Sequence, residues 1–433
     1  MSNLTIGLIC LGIMIVLMFL EVPLGFAFII SGVIGLTWML GPAMAVNYLK
    51  TVPYNTVASY SYAVMPLFML MSDTCTKGKL TTNAYDAARK WLGRLPGGLA
   101  ITTTVASGIF GAICGSMTVT SLIMPEMAWP EMKRHNYSPE LGLGSIAAAS
   151  PLAILIPPST PLMVYGILTG TSVGSLFMAG WVPGIMLLVM MSIVTVVIVK
   201  LHPDWASKPQ KFPLREKMKS LLGALPILIL VVLVMICIWG GITTVIEAGG
   251  IGAAGALIIC AIQRKLTLKQ MAQTIRNTAM MAAGMFLLLI GIQVFNACVT
   301  FSGIPTFMGN WVTSLPLSPR AILWVIILVY LVLGCFIDGA PVTMICIPLF
   351  APIVSALGFN PIWFGILTTM TSAIGAISPP VGICLFLVSS KVPDAGLNRI
   401  IKGAIPYLIT MIIALIILFY VPDLSLWLPG LMQ

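Results

Sequence analysis

Apolar residues along this chain come neither in period-2 alternation nor in one-sided helical stripes. They form runs of roughly 17 to 25 residues separated by short polar loops. A helix that is apolar all round needs an apolar surrounding, and about 20 residues are enough to cross a hydrocarbon layer about 30 Å thick. The pattern predicts membrane-crossing helices near 4–20, 22–40, 55–75, 141–169, 178–200, 220–240, 247–263, 277–298, 361–390 and 403–421. A β-barrel is disfavoured, since its strands would alternate and only helices close all their backbone hydrogen bonds within one segment. The fold class expected is an all-α polytopic membrane protein.

Two further apolar stretches are not simple spans. Residues 97–131 lie between Lys77, Lys79, Arg89, Lys90 and Arg94 on one side and Lys133 and Arg134 on the other. If both flanks are cytoplasmic, the segment enters and leaves by the same face, as a re-entrant hairpin turning near Cys114-Gly115-Ser116. Residues 320–354 are interrupted at Asp338-Gly339-Ala340-Pro341, and counting puts both their ends outside, which makes a second hairpin of opposite entrance. Threaded this way, 20 of the 22 basic residues are cytoplasmic, only Lys50 and Arg320 lie outside, and both termini face the periplasm. A full span in place of either hairpin strands Lys200, Lys208, Lys211, Arg215, Lys217 and Lys219, or Lys391, Arg399 and Lys402, on the wrong face.

The chain also repeats. SPLAILIPPSTPLMVYG (150–166) aligns with SAIGAISPPVGICLFLV (372–388) at a shift of 222 residues, so that Pro157-Pro158 falls on Pro379-Pro380 and Ala153 on Gly375. Each copy follows one hairpin. The expected organisation is a first inverted repeat over 1–199, with hairpin 97–131 and broken helix 141–169. A cytoplasmic linker over 200–219 leads to a second repeat over 220–433, with hairpin 320–354 and broken helix 361–390. Inverted repeats with discontinuous helices are the architecture of secondary transporters.

Composition removes the alternatives. With 59% hydrophobic and 8% charged residues and a mean hydropathy of +1.07, no water-soluble core could absorb this chain. A net charge of +10 would suggest nucleic acid in a soluble protein, but here it reports cytoplasmic loops, and no nucleic-acid partner is expected. MSNLTIGLIC lacks a basic start and a cleavage site and reads as a retained first span. The nine cysteines form no CxxC pair and read as small apolar packing. His135 and His202 fall in loops, and no HExxH or nucleophile–base pair lies at depth, so an enzyme is not expected. A passive channel is disfavoured by hairpins that look built to occlude.

The prolines carry the chemistry. Proline lacks an N–H and clashes with the preceding turn, so each pair frees carbonyls at mid-membrane depth. Bare carbonyls in hydrocarbon cost several kcal/mol each and persist only where they line a cavity or coordinate a cation. Hard cations such as Na⁺ accept such oxygens, and helix starts at the same breaks turn N–H groups towards an anion. Candidate substrate contacts are the hairpin tips, Gly115, Ser116, Asp338 and Gly339, with the hydroxyls flanking the breaks, Ser150, Ser159, Thr371 and Ser372. For Asp338 an ion-path role and a turn-capping role stand level. Asp73, Glu126 and Glu247 read as solvated or helix-capping. Residues 76–98 read as an interfacial amphipathic arm with Trp91 and Leu92 towards lipid, and Trp38, Trp181, Trp363 and Trp427 as membrane-belt anchors.

In MPLFMLMSD (65–73), FGAICGS (110–116), PEMKRHNY (130–137), LIPPSTPLMVYG (155–166), and FGI, AIGAISPPVG and LF (364–386), the chain resembles the large membrane subunit of tripartite ATP-independent periplasmic (TRAP) transporters, the DctM family. The resemblance implies a Na⁺-driven elevator importer of an organic acid anion in the bacterial inner membrane, with no cofactor beyond Na⁺ as coupling ion. It also implies two partners, a small four-helix membrane subunit and a periplasmic substrate-binding protein. It places one Na⁺ site on main-chain oxygens of Cys114, Ala153, Ile156 and Pro158, and another on Gly334, Gly375, Ser378 and Val381. Cys114 stands where the family usually has Ser, and Ala153 where it usually has Gly. Carbonyl coordination tolerates both. The rival reading is a self-sufficient divalent-anion/Na⁺ symporter of the same broad superfamily, which would transport without partners.

Overall fold

A computed structural model describes residues 2–431 except Lys208 and Leu315. The first half opens with α1 (Asn3–Phe19) and α2 (Leu24–Leu40), continues with α3 (Pro42–Ala58), and reaches α4 (Val64–Lys77) through a short 3-10 turn. A single span at 55–75 was expected there. Instead the backbone turns extended at Ser59, and α3 forms from NYLKTVPYNT, too polar to read as a span. Next come α5 (Leu80–Leu92), the hairpin α6 (Gly98–Cys114) and α7 (Met117–Arg134), and the broken helix α8 (Pro139–Ala149), α9 (Leu152–Leu155) and α10 (Thr160–Thr169), followed by α11 (Val173–Leu201).

The second half holds α12 (Leu214–Trp239), α13 (Val245–Ile262), α14 (Leu268–Ser302), α15 (Ile304–Ser314), the hairpin α16 (Pro319–Gly334) and α17 (Gly339–Ala356), the broken helix α18 (Pro361–Gly375) and α19 (Ile383–Lys391), then α20 (Leu397–Tyr420) and α21 (Asp423–Gly430). The stretch expected as linker, 200–219, is already helical from Leu214. α15 and α21 were not anticipated, being too short to register as spans.

The 222-residue shift runs through the whole helix order. It carries α7 onto the bounds of α17, α2 to within a residue of α13, and Thr160, which opens α10, onto Gly382, which precedes α19. One long helix, α14, stands where the first half has α3 and α4.

Packing separates the helices into two groups. In one, α2 lies along α14, α4 along α13 and α14, and α12 along α5 and α13. In the other, α8 lies along α20, α6 against α7, α8 and α9, α16 against α18, and α10 against α17. The groups meet mainly where α5 and α4 touch α6 and where α15 touches α17. The apolar window of the first broken helix is wholly buried, whereas that of α11 is one-third buried, so the breaks sit at the centre of the second group.

Segments assigned by charge to one side also meet one another. Arg399 pairs with Glu140, the Ser138 N–H with the Trp205 carbonyl at 3.0 Å, and the Gln210 N–H with the Gly93 carbonyl at 2.7 Å, all from loops counted as cytoplasmic, and Lys391 pairs with Glu126 on the second leg of the first hairpin. At the other end Gly170, Thr243 and Pro429, from stretches counted as outside, line one cavity of about 710 Å³ with Ser61 and Ile362, from the outer parts of two predicted spans.

Three aromatic assignments change. Trp363 is buried, donates Nε1–H to the Leu418 carbonyl at 2.8 Å and packs on Phe419, so it anchors α18 to α20 and is not a belt residue. Trp181 is half-buried against Trp239 with ring centres 5.4 Å apart. Trp91 is exposed, but its Nε1–H is held by the Lys217 carbonyl at 3.2 Å. Trp38 and Trp427 stay exposed, as belt anchors would be. Among the described residues all nine cysteines are free, eight of them buried.

Candidate functional site

Each hairpin tip is held by short-range chemistry. α6 ends on Gly115 in the left-handed region (φ +58°), where a side chain would be strained. Ser116 then N-caps α7, its Oγ accepting the Val119 N–H at 3.4 Å. In the second hairpin Asp338 N-caps α17, accepting the Gly339 N–H at 2.8 Å.

Each tip is also docked on a break. The Thr160 N–H donates to the Gly115 carbonyl at 3.1 Å, and the Gly382 N–H donates to the Cys335 carbonyl at 3.1 Å, so at repeat-related positions the second half-helix starts by binding its own hairpin tip. Backbones approach closely beside these bonds. A Cβ on Gly111 would lie 2.4 Å from Ala153 Cα, one on Gly115 2.4 Å from the Pro158 carbonyl oxygen, and one on Gly375 2.5 Å from the Gly334 carbonyl carbon.

The eight oxygens suggested for Na⁺ are thus gathered in two sets. Among the described residues, only the Gly375 carbonyl of the eight has a donor in hydrogen-bonding geometry, the Ser378 N–H at 2.9 Å. The Ile156, Pro158, Ser378 and Val381 carbonyls lie outside helices with none. Buried backbone carbonyls are nearly always paired, so the orphans of the buried first break, Ile156 and Pro158, suit a hard cation, whereas Ser378 and Val381 at the second break are only partly buried.

Between the two tips lies a cavity of about 380 Å³, within the range of small-molecule sites. Gly115, Ser116 and Cys114 line it from one hairpin, and Asp338, Ala340 and Pro341 from the other. The opposite wall is Ser72, Asp73 and Thr76 of α4 with Met281 and Met285 of α14, so the cavity lies at the seam of the two helix groups.

The tips expected to touch substrate are therefore brought together, with Gly339 just behind Asp338 and packed towards Ile154 and Pro161. The four hydroxyls flanking the breaks are not. Ser150, Ser159, Thr371 and Ser372 are fully buried and donate to the Ile146, Ile154, Leu367 and Thr368 carbonyls, which makes them braces of the broken helices. Asp338 caps α17, one of the two roles left open, and also lines the cavity. Glu247 closes a capping box with Thr244, as expected of a capping acid.

Asp73 reads from the sequence as solvated or helix-capping. It faces the cavity and pairs with Lys77 at 2.9 Å, but its spacing in sequence shows only an i,i+4 ion pair near a helix end.

Comparison with known proteins agrees with this architecture. A solved structure, the YdaH transporter of Alcanivorax borkumensis, superposes with a TM-score of 0.65 over 88% of this chain and 89% of its own, at 15% identity, which speaks to the fold alone. The chain is 33% identical to the C4-dicarboxylate TRAP transporter large permease protein DctM of Pseudomonas aeruginosa, covering 91% of this chain and 92% of that protein. It is 27% identical to the sialic acid TRAP transporter large permease protein SiaM of Vibrio cholerae, covering 96% of each, and 30% identical to the ectoine TRAP transporter large permease protein TeaC of Halomonas elongata, covering 96% and 97%. Residues 11–424 match the family described as tripartite ATP-independent periplasmic transporter, DctM component. With hairpins, breaks and profile in agreement over nearly its whole length, the chain belongs to the DctM family of TRAP transporter large permeases.

Proposed function

We propose that this permease imports a small organic acid anion, a carboxylate or sulfonate, by Na⁺ symport and an elevator movement. A periplasmic binding protein delivers the solute, and a small four-helix membrane subunit completes the complex. The observation that carries the reading is the docking of each hairpin tip on its own proline break, with both tips lining one cavity at the seam of the helix groups.

The cavity's size suits a small solute, and the relatives named for C4-dicarboxylate, sialic acid and ectoine all take molecules bearing a carboxylate. Among the described residues no Lys or Arg lines the cavity, so backbone N–H groups at the helix starts and bound Na⁺ would supply the positive field. Na⁺ on the orphan carbonyls would order the tips and complete the anion site. By linkage each ligand then raises the other's affinity by the same factor. In this reading α6–α11 and α16–α21 form the moving transport domain, and the remaining helices form the scaffold.

The test is uptake in proteoliposomes of this chain with its small subunit, with and without the cognate binding protein, under an inward Na⁺ gradient. Uptake needing both supports the proposal. Equal uptake with K⁺ in place of Na⁺ on both sides would remove the ion coupling, and uptake by this chain alone would favour the self-sufficient symporter.

A further inference from the structure

Helix α5 and the start of α12 build one continuous surface. The Gln210 N–H binds the Gly93 carbonyl at 2.7 Å, the Arg89 guanidinium lies over the Phe212 ring at 5.6 Å, the Trp91 Nε1–H binds the Lys217 carbonyl at 3.2 Å, and Lys217 Nζ lies 5.6 Å from the Trp91 ring centre. These contacts bring the residues around Arg94 alongside those around Lys211.

Two kinds of exposed side chain share this surface. Arg94, Lys211, Arg215 and Lys219 are exposed, and among the described residues none of them makes an ion pair. Arg89 and Lys90 are already paired, with Glu131 and Asp86, while Glu216, next to Arg215 in sequence, is exposed. Leu214, Met218 and Leu222 are also exposed, on successive turns at the start of α12, and Trp91 and Leu95 are exposed beside them on the α5 side.

Water alone disfavours five large apolar side chains held outward, and hydrocarbon alone disfavours four unpaired cations. A surface carrying both, with an anchored tryptophan between them, fits the boundary where acyl chains meet headgroups. A zwitterionic headgroup would leave the cations uncompensated, whereas an anionic one brings a net negative charge to four neighbouring cations.

We propose that this surface is a binding site for an anionic phospholipid, its phosphate on Arg94, Lys211, Arg215 and Lys219 and its acyl chains along Leu214, Met218 and Leu222. It lies on the arm that joins the two helix groups, because α5 packs on α12 and on the hairpin helix α6.

The test uses the full chain in phosphatidylcholine vesicles doped with brominated phosphatidylglycerol or brominated phosphatidylcholine. Trp91 emission is isolated as the difference from Trp91→Phe. Brominated phosphatidylglycerol is expected to quench Trp91 at about tenfold lower mole fraction. The triple variant K211Q/R215Q/K219Q should lose that preference, K211R/K219R should keep it, and K265Q/K269Q, in the turn before α14 and in its first turn, should leave it unchanged. Equal quenching by the two lipids, or a preference that survives in the triple variant, overturns the site. Displacement by millimolar inorganic phosphate as effective as by lipid would also overturn it, in favour of a free-phosphate site. Unaltered thermal unfolding of the triple variant separates loss of binding from loss of fold.

Discussion

The two proline breaks share a proline pair, a hydrogen bond to a hairpin tip and a place in the repeat, yet they differ in cover. Pro157, Pro158 and Ser159 are all buried, whereas Pro379 and Pro380 are exposed. The difference lies in the following helix. On α11 a Cβ at Gly180 would sit 2.5 Å from the Leu155 carbonyl oxygen and one at Gly184 2.6 Å from Ile156 Cγ1, so two glycines let α11 seal the first break. The 222-residue shift puts Lys402 and Pro406 at those places on α20. That helix instead spends its close approach elsewhere, with Gly403 against Glu140 and Gly144 of α8. Equivalent local chemistry thus yields one sealed and one open break.

The strongest way to break this comparison is to separate each hairpin from its break. Gly375→Leu should reduce uptake to background with normal amounts of protein in the membrane, since even a Cβ overlaps the Gly334 backbone. Gly111→Leu should do the same in the first repeat. Wild-type uptake in either would remove that docking from the mechanism.

A smaller effect is expected from charge alone. Asp338→Asn keeps a capping side chain and should lower uptake by about tenfold, about 1.4 kcal/mol, with little change in thermal midpoint. Asp73→Asn should cost less, because Lys77 already neutralises that carboxylate.

Accessibility sharpens the contrast directly. Pro380→Cys should react with a maleimide about tenfold faster than Pro158→Cys, since a thiol must be solvated to react. Na⁺ should slow the former. Equal rates would mean that the two breaks are equally covered in the membrane.

The smallest effects concern the anchors. Tyr165 donates its hydroxyl to the Pro361 carbonyl at 2.7 Å and Trp363 its indole N–H to Leu418. Tyr165→Phe and Trp363→Phe should each cost about 1 kcal/mol in stability and leave uptake near wild type. A large uptake loss in either would make the anchor part of the transport cycle.

Much of this was legible along the chain. Apolar runs placed the long helices, because hydrocarbon demands about 20 apolar residues whatever the neighbours are. Proline and glycine placed the breaks and tips, because their backbone chemistry is local. Helices α3, α15 and α21 were missed because short or mixed-polarity helices draw their stability from packing, which a run of residues does not show. Trp363 was misread for the same reason: a tryptophan near a helix end looks like a belt residue until a partner such as Leu418 is seen to bury it.

At the site the split is similar. Gly115, Ser116 and Asp338 could be found from the tips, and the breaks from Pro157-Pro158 and Pro379-Pro380. The hydroxyls of Ser150, Ser159, Thr371 and Ser372 were overestimated, because a buried hydroxyl on a helix finds a carbonyl in the turn before it. Asp73 could be recognised only once α4 was seen to wall the cavity.

By itself, then, the sequence determined that the chain is helical and membrane-embedded, where its helices break, and that two halves share one plan. Each of these rests on local backbone chemistry or on transfer of a single segment out of water. Only the tertiary structure decided which tips and breaks share a cavity, which acid faces it and which break is sealed. Those depend on the approach of segments hundreds of residues apart, down to whether a facing helix carries glycine at Gly180 or lysine at Lys402.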